Sequence, residues 1–274
     1  IFAVSSIIYS LLVTETYSSK TVLVLRTDVM SDISSRSAGL GSLGGLASSL
    51  TGLSGVGVSS SRKDYVLTRL TSLDFFEQYI FDEVAPEIFA TKSWDYANKR
   101  LIYNSELYDE KTSRWQTDDM GRTLRPSSEL AHRDFLGSLS LSDDKKTGFI
   151  SMQFSSISPV LSHKVVELMV SSANREMHVL DKESAEETLM FLRNTINQES
   201  DIEIRDVLYS LLSDQLIKLA FTNLSDEYFL LPAVPAKVPE RRSYPSRSII
   251  VILSTLFGGI LSCCFVVIRS SYLR

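Results

Sequence analysis

The two ends of the chain are apolar and uncharged, whereas the hydrophobic positions between them follow short strand patterns and one long helical pattern. Residues 248–268 contain no charged side chain and come directly after Arg247. About 20 apolar residues in a helix cross the roughly 30 Å hydrocarbon core of a bilayer. We therefore predict a transmembrane helix over 248–268 and a short tail over 269–274. Gly258 and Gly259 would let a second helix approach this one closely.

Residues 1–14 are also uncharged, but they are too few to span a bilayer. The chain begins with Ile1 rather than with methionine. We interpret this segment as the outer part of a first transmembrane helix. The alternative is the apolar part of a signal peptide, but no convincing small-residue cleavage site follows Thr14.

After the first apolar segment, residues 17–27 alternate apolar and polar side chains, which predicts a strand leaving the membrane. A segment rich in Gly, Ser and Leu follows over 34–61. Glycine and serine disfavour a helix or strand there, so we predict a flexible loop. Its frequent leucines suggest that the loop packs against another part of the assembly, such as a neighbouring subunit. The candidate contact residues are Gly41, Leu43, Gly44, Leu46 and Leu50.

Two short helices are predicted next, one capped by Ser61 and one by Ser72, with Pro86 interrupting after the second. Residues 92–126 are polar and irregular in pattern. A β-hairpin is predicted to follow, with strands over 138–142 and 149–154. The aromatic residues expected to anchor the irregular part are Trp94, Tyr96, Tyr103, Tyr108 and Trp115.

The longest regular pattern begins at Ser158-Pro159, an N-cap followed by proline at the first helical position. Apolar residues then recur at helical spacing over 159–222, which predicts one helix of roughly 95 Å or a helical hairpin bent at 197–201. Either form leaves an apolar stripe that needs a partner helix. The stripe contains Val166, Val170, Ala173, Met177, Leu180, Ala185, Leu189, Leu192, Ile196, Ile204, Leu208 and Leu211.

A last strand is predicted over 226–231. Four of the seven prolines follow it, and prolines at this spacing disfavour both helix and sheet. We therefore predict a stiff proline-rich strut over 237–247 that joins the middle of the chain to the second span. The four prolines are Pro232, Pro235, Pro239 and Pro245.

Charge and composition support this division of the chain. The whole sequence has a net charge of −5, but residues 15–236 carry −10 and the remaining residues carry +5. An acidic middle argues against a nucleic-acid-binding protein. A hydrophobic content of 44% is too low for a polytopic membrane protein, and two cysteines, Cys263 and Cys264, cannot form a disulfide scaffold.

The sequence offers little catalytic chemistry. Gly39–Gly44 matches the GxGxxG pattern, but the predicted strand ends well before it and Asp64 falls in a helical pattern, so no dinucleotide site is predicted. His132, His163 and His178 lack the spacing of metal ligands. We predict no catalytic residue, no cofactor and no metal site.

The order of these features resembles the bacterial polysaccharide co-polymerases, which are Wzz-type chain-length determinants. The resemblance extends over nearly the whole chain, and its most specific part is the proline segment joined to a glycine-containing final span. The matching residues include Ile8, Tyr9, Tyr17, Gly41–Gly57, Phe149–Phe154, Pro159, Pro232, Pro235, Pro239, Pro245, Arg247, Gly258 and Gly259.

The resemblance implies an α+β fold, with a ferredoxin-like α/β base near the membrane and a long helical protrusion over 15–236. It implies two transmembrane helices in a bacterial inner membrane, a periplasmic ectodomain and cytoplasmic termini, including the tail 269–274. The implied partners are further copies in a ring-shaped homo-oligomer, a Wzy-type polymerase, an undecaprenyl-linked glycan and the lipid bilayer. The helical region is shorter than in the longest family members.

Three hypotheses follow from the sequence. The first is a non-catalytic co-polymerase that sets the chain length of an O-antigen-like polysaccharide. The second is an inner-membrane ring component of a capsule or exopolysaccharide export system of the ABC type. The third is a membrane-anchored carbohydrate-active enzyme that uses an unrecognised pair of carboxylates.

Overall fold

The computed structural model describes residues 13–26, 55–222, 229–245 and 249–260. The fold is α+β and contains one long helix, as the sequence predicts. Several predicted features lie outside the described residues: most of the first apolar segment, Arg247, and the loop residues Gly41, Leu43, Gly44, Leu46 and Leu50.

Eight strands and seven α-helical segments are present in the described ranges. The strands are β1 Tyr17–Leu25, β2 Thr91–Asp95, β3 Arg100–Tyr103, β4 Tyr108–Asp109, β5 Arg114–Trp115, β6 Leu139–Asp143, β7 Ile150–Ser156 and β8 Leu230–Val234. The helices are α1 Gly55–Leu70, α2 Leu73–Phe75, α3 Asp82–Phe89, α4 Ser128–Ser138, α5 Pro159–Gln198 and α6 Ile202–Thr222, and a π-helical segment, Phe76–Phe81, joins α2 to α3. Residues 249–260 are also helical.

Four strands form one antiparallel sheet in the order β6-β7-β1-β8. The predicted hairpin is confirmed as β6 and β7, and β1 lies between β7 and the edge strand β8. Helices α1 to α4 connect β1 to β6, and α5 and α6 connect β7 to β8. The first and last strands therefore lie side by side, although they are separated by nearly the whole chain.

The alternating pattern of β1 explains which face of the sheet is covered. Leu23 and Leu25 are buried, whereas Val24 between them is only partly covered. The same period appears in β7, where Ile150, Met152 and Phe154 are buried. Because side chains alternate between the two faces of a strand, all five residues point to one face. The helices pack on that face and enclose the hydrophobic core.

Helix α5 begins as the sequence predicts. Ser158 is the N-cap, its Oγ accepts a hydrogen bond from the Leu161 backbone N–H, and Pro159 occupies the first turn. The helix contains 40 residues, which corresponds to roughly 60 Å. It ends at Gln198, and α6 packs back against it. Of the two alternatives left open by the sequence, the helical hairpin is the one observed.

Most of the predicted stripe is buried. Its first part lies in the core of the base, and its second part, from Ala185 to Ile196, faces α6. Leu180 and Ile204 differ from the prediction, because both are exposed beside the point where α5 leaves the base and the point where the hairpin turns. Periodicity assigns a helix face but not where along the helix a neighbour begins or ends.

Two predicted helix boundaries are wrong. Helix α1 begins at Gly55 rather than at Ser61, because packing of Val66 and Leu70 in the core favours extension of the helix into a segment of low propensity. Pro86 lies inside α3 and does not end the helix. A proline removes one backbone donor and crowds the preceding turn, and the π-helical segment just before α3 has a wider turn there.

The polar stretch 92–126 is more regular than predicted, since β2 pairs with β3 and β4 with β5 in two small hairpins. The last strand also differs from its prediction. It runs from Leu230 to Val234 and includes Pro232, which was assigned to the region after the strand. An edge strand tolerates proline where the missing N–H falls on the open side of the sheet.

The described residues include no helix that is long and apolar enough to cross a membrane.

Candidate functional site: the seam between the two end segments

The segments next to the two apolar ends lie against each other. In register, Leu25 is opposite Leu230 and Leu23 is opposite Pro232, and an irregularity then shifts the pairing so that Val22 is opposite Val234. We name residues 13–26 and 229–245 together the seam. The predicted strut is part of this pairing, so it is attached to β1 over much of its length.

Side-chain hydroxyl groups continue the pairing where the ladder of β8 ends. Thr21 Oγ1 donates to the Val234 carbonyl oxygen at 2.9 Å, and Ser19 Oγ donates to the Lys237 carbonyl oxygen at 2.9 Å. Both hydroxyl-bearing residues are buried. Pro235 and Pro239 have no backbone N–H to offer to a neighbouring strand. Buried hydroxyl donors on β1 therefore hold the proline segment through its carbonyl oxygens.

Backbone hydrogen bonds also join the two segments at the end of the seam that adjoins the predicted transmembrane spans, which we call its membrane-predicted end. Thr16 N–H donates to the Tyr244 carbonyl oxygen at 2.9 Å, and Ser243 N–H donates to the Thr16 carbonyl oxygen at 2.8 Å. Ser18 N–H donates to Ser243 Oγ at 3.1 Å. The residues that adjoin the two predicted spans are thus neighbours in the fold.

A carboxylate lies at the centre of this end of the seam. Glu15 Oε1 pairs with Arg242 Nη1 at 2.6 Å. Glu15 Oε2 accepts hydrogen bonds from the Tyr17 hydroxyl at 3.4 Å and from the Tyr96 hydroxyl at 3.3 Å. Burial, and then the charge of Glu15, raise the pKa of the Tyr96 phenol. One acidic side chain therefore joins β1, the proline segment and the β2–β3 hairpin.

The structure places the predicted prolines at different points of the seam. Pro232 lies in β8, Pro235 is exposed, Pro239 is half-buried, and Pro245 is buried after a cis peptide bond with Tyr244.

The predicted glycines lie in the helical residues 249–260. Gly258 is buried there, whereas a Cβ added at Gly259 would meet no atom within 4 Å. The close helix approach suggested for this pair therefore stays a prediction.

One residue that the sequence reasoning missed fixes the start of β8. The buried side chain of Asn174 in α5 accepts the Phe229 N–H at 3.0 Å and the Leu230 N–H at 2.7 Å through Oδ1. Its Nδ2 donates to the Leu230 carbonyl oxygen at 3.0 Å. The signal in the sequence is an amide directly after Ala173, at the margin of the apolar stripe.

Ion pairs join α1 to α5 near Asn174. Arg69 Nε pairs with Glu176 Oε1 at 2.6 Å, and Arg62 Nη2 pairs with Asp181 Oδ2 at 2.5 Å. Burial lowers the pKa of Arg69, but its hydrogen bond and charge interaction with Glu176 outweigh this, and the pKa is raised. The Arg62 guanidinium also lies over the Phe229 ring, with Cζ 5.1 Å from the centroid.

An open groove of about 550 Å³ runs between α5 and the proline segment. Its polar side chains come from α5 and β1, and its apolar side chains come from both α5 and the proline segment. Within the described ranges, no cluster of His, Cys, Asp and Glu could hold a metal ion. The lining includes Thr21, Lys164, Glu167, Ser171, Pro232 and Pro235.

No protein-family model matches the chain, and no curated protein matches it. Among solved structures, one described as a full-length bacterial polysaccharide co-polymerase is 11% identical, with a TM-score of 0.33, over 98% of this chain and 93% of that chain. A fragment of WzzB, the polysaccharide co-polymerase from Salmonella Typhimurium, is 11% identical, with a TM-score of 0.29, over 84% of this chain and 100% of that chain. Both belong to the family that the sequence resembles. At these identities and TM-scores, the alignments by themselves establish neither fold nor function.

Proposed function

We propose that this protein is a non-catalytic co-polymerase, which regulates the chain length of a lipid-linked, O-antigen-like surface polysaccharide together with a Wzy-type polymerase. The single observation that carries the proposal is the seam. It pairs the segments that adjoin the two apolar ends of the chain, at one α+β base from which the helical hairpin extends. The resemblance of the sequence to the co-polymerases supplies the function that suits this arrangement.

The base is proposed to be ferredoxin-like. Its sheet strands, numbered by their order among the four, lie in the order 2-3-1-4, and helices fill the crossovers from the first to the second and from the third to the fourth. This is the split βαβ arrangement, in which the first strand lies between the third and the fourth. The topology requires the first and last strands to be neighbours, and this is what creates the seam.

The two apolar ends are proposed to be membrane anchors, with spans over 1–14 and 248–268. In this arrangement the base and hairpin over 15–236 lie in the periplasm, and both termini, including the tail 269–274, lie in the cytoplasm. The seam supports a common side for the two spans, because Thr16 and Tyr244 are paired. Arg247, Gly258 and Gly259 would then lie at or inside the second span.

A ring-shaped homo-oligomer is proposed to cover the outer face of the hairpin. Large apolar side chains are exposed there on both helices, and such patches mark interaction surfaces. They include Val179, Met190, Phe191, Ile202 and Val207. In a ring, the predicted loop contacts Gly41, Leu43, Gly44, Leu46 and Leu50 are further candidates for subunit contacts.

The proposal is tested by the length distribution of the polymer on a gel. Deleting the gene should change the distribution, and a complementing chain with Pro235, Pro239 and Pro245 replaced by alanine should fail to restore it. Lys145→Ala, at an exposed position in the β6–β7 turn away from the proline segment, is the control that should restore it. An unchanged distribution after deletion would contradict the proposal, and polymer trapped inside the cell would favour the export component instead.

A further inference from the structure

The β2–β3 hairpin packs directly against the membrane-predicted end of the seam. Besides the hydrogen bond to Glu15, the Tyr96 ring makes an edge contact with Tyr17, with centroids 6.0 Å apart. Tyr96 is nevertheless 56% exposed, and Tyr244 in the proline segment is 53% exposed. Two tyrosines therefore present open ring surface beside the points where the chain leads into its apolar ends.

The turn of this hairpin is held rigidly. Asp95 Oδ1 accepts the Ala97 N–H at 3.0 Å and the Asn98 N–H at 3.2 Å, and Asn98 Nδ2 donates to Asp95 Oδ2 at 2.7 Å. Lys99, the last residue of the turn, has a φ of 50°, in the left-handed region that disfavours side chains.

Two other hairpin turns use the same arrangement as the β2–β3 turn. Asp109 and Asp144 each accept hydrogen bonds from their own turns, and the residue four positions later is again left-handed. That residue is Ser113 in the β4–β5 turn and Gly148 in the β6–β7 turn. Only glycine adopts this backbone without strain, so Lys99, like Ser113, occupies its position at a conformational cost.

The basic groups beside the two tyrosines are available to a partner. Lys99 and Arg241 are exposed, and in the described parts of the chain no carboxylate lies within ion-pair distance of either. Arg100 has only a long contact to Asp95, at 3.8 Å. Exposed tyrosine rings combined with lysine and arginine are the side chains that proteins place at the headgroup level of a bilayer.

We propose that the β2–β3 turn rests on the headgroups of an anionic bilayer, with Lys99, Arg100 and Arg241 facing lipid phosphates and the rings of Tyr96 and Tyr244 at headgroup depth. The inference rests on the proposed anchoring of the two apolar ends, because the anchors would bring this surface to the bilayer. Its consequence is a third attachment of the base to the membrane, which would limit rotation of the base about its two spans.

Depth measurements on the full chain in lipid nanodiscs test the proposal. Cys263 and Cys264 are first replaced by serine, and a fluorophore is then attached at Ala97→Cys in the β2–β3 turn. Lys111→Cys, at the matching position of the β4–β5 turn, is the control. Ile249→Cys, at the start of the second predicted span, reports whether the chain is anchored.

A lipid with a quencher on its headgroup should quench the labels at positions 97 and 249 and leave the label at position 111 bright. Quenching at position 249 without quenching at 97 would overturn this inference and leave the anchoring intact. A bright label at position 249 would overturn the anchoring, and the inference with it.

The charge of Lys99 provides a second arm. Lys99→Gly removes the charge and also relieves the strain of the left-handed backbone, so a loss of contact could not be attributed to a damaged turn. Ser113→Gly is the control, because it relieves the same strain in the β4–β5 turn without a change in charge. In nanodiscs containing phosphatidylglycerol, Lys99→Gly should lower the equilibrium constant for contact between the turn and the bilayer about fivefold, as expected for one basic group at an anionic surface. The quenching of the label at position 97 measures this constant. The effect should be absent with Ser113→Gly and disappear in phosphatidylcholine. An equal effect in both lipids would contradict the proposed charge contact.

Discussion

The base and the helical hairpin share helix α5, but the side chains of α5 are buried differently in the two regions. In the base, α5 packs on the sheet, and Val165, Val166 and Met169 are completely buried. In the hairpin, the continuation of α5 buries only the strip facing α6, while Met190 is 60% and Phe191 is 66% exposed. The base has a core enclosed by several elements, and the hairpin has a single helix–helix interface.

This difference predicts two levels of stability within one chain. Packing of an apolar face supplies most of the stability of a helix in a protein, and the number of neighbours limits how much each residue contributes. The base should therefore unfold as one cooperative unit, whereas the hairpin should open at lower free energy. Additional cover for the hairpin would have to come from a partner, as the proposed ring would provide.

The largest effect is expected from emptying the core of the base. Phe135 is buried in an aromatic cluster, 4.9 Å from Phe76 and 5.1 Å from Phe154 between ring centroids. Phe135→Ala should lower the free energy of unfolding by about 3–5 kcal/mol, measured by urea titration of the full chain in detergent. Phe149→Ala, at an exposed position, should change it by less than about 1 kcal/mol. Equal effects would show that the base lacks the enclosed core described above.

A smaller effect is expected where the seam joins α5. Asn174→Ala leaves the Phe229 and Leu230 N–H groups and the Leu230 carbonyl without the amide that binds them. Since each buried unsatisfied group costs about 1–3 kcal/mol, we expect a loss of about 3 kcal/mol, with faster hydrogen exchange at Leu230 and Leu231. Ser171→Ala, one turn away and exposed, is the matched control. Unchanged exchange in β8 would mean that β1 alone holds the strand.

How much of this could be predicted depends on whether a feature is local. Ser158-Pro159 and the alternation of β1 act within a few residues, and the structure confirms both predictions. The hairpin bend could be placed at 197–201 because polar residues interrupt the stripe there. The choice between one helix and two depends on packing against α6, which is a tertiary effect.

The features that escaped prediction all depend on distant neighbours. Pro232 lies in β8, where a proline is tolerated because that strand is at the edge of the sheet. The attachment of the proline segment by Ser19 and Thr21 needs contacts across more than 200 residues of sequence. No local pattern contains that information.

Within the hairpin, a core substitution should act locally. Leu192 is buried against α6, so Leu192→Ala should cost about 2 kcal/mol, at the low end for a leucine because the site is close to the surface. Hydrogen exchange should accelerate in α6 and in α5 beyond Ala185, with the sheet unaffected. Asn194→Ala, on the exposed face, is the control. Faster exchange throughout the sheet would show that the base and the hairpin unfold together.

The smallest effect on stability is expected in two turns of the base, the β4–β5 turn and the β6–β7 turn. Ser113 and Gly148 occupy equivalent left-handed positions, but only Gly148 lies in a turn bound to the core sheet, where its carbonyl oxygen accepts from Lys63 Nζ at 2.9 Å. Gly148→Ala should destabilise by about 1 kcal/mol, because a Cβ is disfavoured at positive φ. Ser113→Gly should stabilise by about 0.5 kcal/mol, because relief of the backbone exceeds the entropy that glycine loses on folding. Urea titration measures both, and a stabilising Gly148→Ala would contradict the left-handed assignment of this position.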